Sequence, residues 1–261
     1  MKTTIIASSL VLLSVLACAG PVQPATADAK DQPAAADTQD VEGIRWEVER
    51  EEGSKGQPKL RLSHRSSTSD LSLDGKLASE RPEFGAARSA LGGTGPVRFT
   101  VRHAAGTLDC RGTLSRAYDG KGLCSFAPDA GFERALDDRG LTLRRRSDLL
   151  AMLMVDATIE LADGLTREGV APKDSDDLIA AAALEVTPDY VRDLKTGPMT
   201  LTSVDDAIAC KALEVDGAYV RGLAAAGYAK LSSDEVVGMK AMGVSPDYAR
   251  SMNLAAKGRG Q

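Results

Sequence analysis

The chain has 261 residues, a formal net charge of −5 and only 4% aromatic residues, with a single tryptophan, Trp46. The acidic balance argues against a nucleic-acid partner, because phosphate contact needs a basic surface. Scarce aromatics leave a core to be built mostly from Ala, Leu, Val and Met, in one or two ordinary domains.

Residues 1–17 are predicted as a signal peptide: Lys2 gives a short positive region, and Ile5 to Ala17 an apolar run too short to span a bilayer comfortably. The run ends in Val15-Leu16-Ala17-Cys18, the pattern of a lipobox, which predicts cleavage before Cys18 and its acylation. Ala19 after that cysteine matches the sorting rule for the outer membrane of a two-membrane bacterium. "PATADA", Pro24 to Ala29, holds ordinary signal-peptidase sites that would instead release a secreted or periplasmic protein. No later stretch reaches the roughly 20 apolar residues of a spanning helix. Residues 18–40 then read as a lipidated cysteine plus a disordered tether of Ala, Pro, Asp, Gln and Thr. The 22 residues from Ala19 to Asp40 would reach about 25 Å.

Residues 41–146 read as an antiparallel β domain. Ile44, Trp46 and Val48 alternate with charged neighbours, as do Leu60 and Leu62 in "KLRLSH". Val97, Phe99 and Val101 alternate with Arg98, Thr100 and Arg102. Alternation with charges means half-buried strands. "GGTG", "AAG" and "DGKG" (Asp119 to Gly122) are expected to punctuate them. Cys110 and Cys124 fall on one face of a hairpin centred near Ala117, so a cross-strand disulfide is expected, the alternative being two buried thiols. "APDAGFERALDDRGL" reads as a short helix or turn leading out.

Residues 147–252 read as four helical repeats, with 253–261 a disordered tail. Tyr190, Tyr219 and Tyr248 are 29 residues apart, as are Val186, Val215 and Val244, and Arg192, Arg221 and Arg250. One step further back lie Ala157, Leu161 and Asp163, so the first copy puts an acid where the others have Arg. A fixed, ungapped period is the mark of a stacked helical array. Within each unit Thr187, Asp216 and Ser245 are expected N-caps. Pro188 and Pro246 suit the first helical position, and Asp189 and Asp247 the positive end of the helix dipole. The middle copy replaces Thr-Pro-Asp by Asp-Gly-Ala. The tyrosines read as core, with the hydroxyl at the surface. The alternative is a binding strip of Tyr190, Arg192, Tyr219, Arg221, Tyr248 and Arg250.

The repeats, preceded by "FTVRHAAGTLDCRGTL" and "DGKGLCSFAPDAGFERAL", resemble a family of bacterial exported proteins. Similar repeats follow the peptidase domain of some beta-lactam-sensor-type membrane metallopeptidases. The resemblance spans about Val97 to Met252 and implies an exported β module plus repeats. It implies no catalytic residues, since the chain has no His-Glu-x-x-His.

Other constellations are weak. His64 and His103 are the only histidines, too few for a zinc site without a cage of Cys or acids. "HRSSTSD" places His, Ser and Asp within seven residues, whereas triads are assembled across space. "KDSDD" lacks calcium-loop spacing and reads as capping, "GGTG" as a turn, and Cys210 as core. Residues 41–146 carry 19 basic and 15 acidic side chains, and 147–250 carry 9 and 18. The contrast reads as solubility and mutual attraction, or as an acidic array recruiting a basic partner.

The expected fold is α+β, a small antiparallel β domain followed by a short helix-turn-helix array of α-solenoid type. The expected function is a non-catalytic cell-envelope lipoprotein binding a protein or peptide, with no cofactor, metal or nucleic acid. Alternatives are a regulatory sensor or inhibitor of an envelope peptidase, and an envelope hydrolase using His64 or His103.

Overall fold

The computed structural model describes residues 41–49, 58–65, 70–77, 81–145 and 147–258. The expected signal peptide, Cys18, the tether and residues 259–261 lie outside the described residues. The architecture is α+β, an antiparallel sheet followed by short helices in pairs.

The strands are β1 (Val41–Glu49), β2 (Lys59–Arg65), β3 (Asp70–Lys76), β4 (Gly95–His103), β5 (Gly106–Arg116) and β6 (Asp119–Pro128), paired in the order β3-β2-β1-β6-β5-β4. Alternation puts Ile44, Trp46, Val48, Leu60, Leu62, Phe99, Val101, Leu108 and Phe126 on one buried face. Helix α1 (Gly85–Leu91) and the first array helix, α3 (Ser147–Val155), join that core through Ala87, Leu91, Leu149, Leu150 and Leu153. The hydrophobic core is therefore continuous across residue 146.

"DGKG" does not separate strands: it begins β6. The reason is Trp46. Its register partners are Gly122 and, one strand further, Gly112. A Cβ on Gly112 would sit 2.5 Å from Trp46 Cζ2, and one on Gly122 2.5 Å from Trp46 Nε1. The glycines leave room for the indole, which donates its N–H to the Arg111 carbonyl at 3.1 Å and meets Phe99 edge-on. Strand β3 and helix α1 were not anticipated. Asp70–Lys76 offers only Leu71 and Leu73 as an apolar signal, and it exists by pairing with β2.

The exit segment becomes helix α2 (Ala130–Asp137), capped by Asp129 accepting from the Phe132 N–H at 2.8 Å. After α3 come α4 (Ile159–Arg167), α5 (Ser175–Ala183), α6 (Pro188–Leu194), α7 (Val204–Ala212), α8 (Gly217–Ala225), α9 (Ser233–Ala241) and α10 (Pro246–Gly258). Helices α3, α5, α7 and α9 stack in one row and α2, α4, α6, α8 and α10 in the other. Asp129, Phe132 and Leu136 stand 29 residues before Thr158, Leu161 and Leu165, so α2 is the second half of an earlier unit. The sheet packs where the first half of that unit would lie. Helix α10 also corrects the expected tail: it continues through 253–258, and Asn253 donates to the Ala226 carbonyl at 2.8 Å.

The caps are local and repeated. Thr158, Thr187, Asp216 and Ser245 each accept from the N–H three residues on. An acid column, Asp148, Asp177, Asp206 and Glu235, caps the other row by accepting backbone N–H groups from the preceding loop. Hydrogen bonds from those N–H groups hold the Asp206 and Glu235 carboxyls below the usual carboxylate range, against the opposing effect of burial on Asp206. "KDSDD" is accordingly a cap and tie: Asp174 caps α5, and it pairs, with Asp176, to Arg144.

Candidate functional site

The expected binding strip turns mostly into joinery between repeats. Tyr190 donates its hydroxyl to the Val215 carbonyl at 2.7 Å, and Tyr219 repeats the bond to Val244 at 2.7 Å. Lys211 lies over the Tyr190 ring at 4.7 Å and Lys240 over Tyr219 at 4.8 Å. Each tyrosine thus reaches forward to the next repeat. Burial raises both phenol pKa values, so the hydroxyls stay protonated donors.

The arginines reach backward. Arg192 pairs with Glu168 of the preceding repeat at 2.9 Å, as well as with Asp189. One repeat earlier the same strut is built with its charges exchanged: Arg139 holds Asp163 through two bonds of 2.6 and 2.8 Å. The acid at 163 is therefore the complement of Arg139, not decay of the motif. In the third unit the backward position is Gly197, and Arg221 turns to Asp193 and Thr196.

The odd middle copy has the same kind of explanation. Pro188 packs on Gly164, where a Cβ would sit 2.5 Å from its ring, and Pro246 packs on Gly222, where the distance would be 2.8 Å. Between them the small and large partners are exchanged. Asp193 stands in the Gly164/Gly222 column and Gly217 in the proline column, and the Gly217 N–H donates to Asp193 at 2.8 Å. Proline there would lose that N–H and strike Asp193.

The last repeat differs. Leu165, Leu194 and Leu223 are 0% exposed, but Met252, their equivalent, is 49% exposed. Tyr219 is 9% exposed and its equivalent Tyr248 56%. No described helix packs beyond α10, so Tyr248 has no forward carbonyl among the described residues. Arg250 pairs only with Asp247, three residues away. Leu254 and Met242 add to this exposed apolar end. Of the strip, Tyr248 and Arg250 alone are free of neighbouring repeats.

A second feature is the outer face of the sheet. Arg98 stands directly opposite Arg111, Arg111 opposite Leu123, and Leu123 opposite Arg45, one row across four strands. Arg102 lies four residues along β4. All are exposed, and Leu123 is 47% exposed. An open depression of about 910 Å³ is lined by Arg98, Thr100, Arg102, Asp109, Arg111 and Leu123 among others. Asp109 accepts from Thr100 at 2.6 Å. Among the described residues, none of Arg45, Arg98, Arg102 and Arg111 forms a side-chain ion pair. Alternation had placed Arg98 and Arg102 outward; Arg111 needed the hairpin register.

Cys110 and Cys124 are direct register partners joined by a disulfide, with Cα atoms 4.1 Å apart. Cys210 is a buried free thiol, its pKa pushed up to about 11 by burial. The histidines are not brought together. His64 is on β2 and His103 on β4, four strand steps apart, which is about 19 Å. His103 Nδ1 accepts from the Ala105 N–H at 3.1 Å, which leaves Nε2 to donate to Asp156 at 3.2 Å. Burial lowers its pKa, opposed by Asp156. That neutral tautomer fixes the sheet to the α3–α4 turn. Nearby, Arg81, in the segment leading into α1, ties that segment to the end of α3 by donating to the Met154 and Leu153 carbonyls at 2.6 and 2.8 Å. Among the described residues no three His, Cys, Asp or Glu side chains could together hold a metal ion, and no helix is long and apolar enough to cross a membrane.

No family model, curated protein or solved structure matches the chain.

Proposed function

We propose that the protein is a non-catalytic cell-envelope lipoprotein that binds a protein partner through its helical array, at the exposed end of the last repeat. The observation that carries this reading is the fate of one column: 0% exposure at Leu165, Leu194 and Leu223, and 49% at Met252. The surface that each earlier repeat buries on its neighbour is presented there unburied. Exposed apolar surface of this kind marks interaction sites.

The internal joints indicate the occupant. Each takes a helix pair that offers a turn carbonyl to a tyrosine and a lysine to its ring. The partner is therefore a protein presenting a helical hairpin. The acid excess of residues 147–250 favours a basic one, chiefly through association rate.

The test is co-purification from membranes with single substitutions. Met252→Glu or Leu254→Glu abolishes recovery of the partner, and Arg192→Ala leaves it intact. Recovery unaffected by Met252→Glu, or recovery of a second copy of the same chain in place of another protein, overturns the reading.

A further inference from the structure

We propose that the outer face of the sheet is a second, separate site that docks on an anionic lipid surface through Arg45, Arg98, Arg102 and Arg111. Like charges directly opposite each other destabilise a strand pair, and no side-chain ion pair offsets the Arg98/Arg111 pair among the described residues. Two acids, Glu42 and Asp109, line the same depression as Arg98, Arg102 and Arg111; Asp109 accepts from Thr100, and the face with Arg45 stays net positive. Guanidinium forks match phosphate oxygens bidentately. Neighbouring strands are about 4.8 Å apart, so the row from Arg98 to Arg45 is about 14 Å wide, and Arg102 lies about 13 Å from Arg98 along β4. This is an extended array of cations, suited to several headgroup phosphates at once.

Leu123 stands in the middle of the row, 47% exposed, where a docked face would press it into the headgroup boundary. Thr100 and Ser125 add hydroxyls beside it. The occupant follows from charge complementarity and from where the chain enters. Glu42 and Gly43, at the start of β1, line the same depression. Only 23 residues separate Glu42 from Cys18. In this respect the choice of a membrane over another polyanion rests on the lipoprotein reading. The arginine row itself is independent of the array and of its protein partner.

The test uses the full chain carrying Cys18→Ser, so that no acyl chain contributes, in co-sedimentation with vesicles. The expected result is tighter binding to vesicles containing phosphatidylglycerol than to pure phosphatidylcholine, weakening as salt rises. Each arginine near an anionic surface is worth about fivefold in affinity, so Arg98→Gln with Arg111→Gln lowers the anionic binding roughly thirtyfold. The double variant, relieved of the Arg98/Arg111 repulsion, melts no lower than the parent and keeps the partner recovery lost with Met252→Glu. Equal binding to both vesicle types, or anionic binding unchanged in the double variant, overturns the proposal. So does binding of polyglutamate in preference to anionic vesicles, which would make the face a site for acidic polypeptide.

Discussion

The tyrosine column is the sharpest place to separate joinery from ligand binding. Tyr190→Phe removes one hydroxyl and little volume. The acceptor it abandons belongs to Val215, which is 1% exposed, so water cannot readily replace the bond. A net hydrogen bond contributes about 1 kcal/mol, and a buried carbonyl left without its partner raises the loss to about 1–2 kcal/mol. Tyr219→Phe breaks the same 2.7 Å bond, but to Val244, which is half-buried, so the loss should be about 0.5–1 kcal/mol. Tyr248→Phe has no such bond to break and should stay within about 0.5 kcal/mol of the parent. For a folded part of this size a loss of 1 kcal/mol lowers the melting temperature by roughly 2–4 °C. The assay is thermal and urea unfolding of the three variants followed by circular dichroism. A Tyr248→Phe loss equal to that of Tyr190→Phe, or no loss in Tyr190→Phe, would refute the reasoning.

Three further outcomes follow from the same geometry. Gly112→Ala places a methyl against the Trp46 indole and the neighbouring strand, and should destabilise by about 1–3 kcal/mol or more, with a red-shifted tryptophan emission. Gly217→Pro should destabilise strongly, and adding Asp193→Gly should recover part of the loss, because the pair then copies Gly164 with Pro188; strictly additive losses would contradict the exchange. His103 has a folded pKa below its unfolded value of about 6.5, so the unfolded chain takes up protons first. Its contribution is complete above that pH and is lost as pH falls through about 6.5 to the folded pKa, where protonating Nδ1 also ejects the Ala105 N–H. Unfolding measured between pH 7.5 and 5 should therefore be steeper in the parent than in His103→Gln.

Much of the fold could be read from the chain because its signals are local. Caps at Thr187, Asp216 and Ser245 depend on the next three residues, and the hairpin of Cys110 and Cys124 follows from alternation about Ala117. What escaped was relational. Nothing within "DGKG" says strand; the requirement comes from Trp46, far back in sequence on β1 but on the adjacent strand of the sheet. The acid at Asp163 had no reason in its own repeat until Arg139 stood beside it, and the Asp-Gly-Ala of the middle copy none until Asp193 did. Helix α2 was within reach, since one more step of 29 residues lands on Asp129, Phe132 and Leu136. The binding strip divided for a similar reason. Side chains of identical type at identical spacing become struts when a neighbour supplies the partner, and only the last copy stays open.

The most direct measurement is site-specific photocrosslinking in intact cells, with a photoreactive amino acid in place of Tyr248 or, as the buried control, Tyr219. The account predicts a discrete adduct with another protein at position 248, absent at 219 and lost when Met252→Glu is added. No adduct at 248, one that survives Met252→Glu, or one composed of two copies of this chain would contradict it.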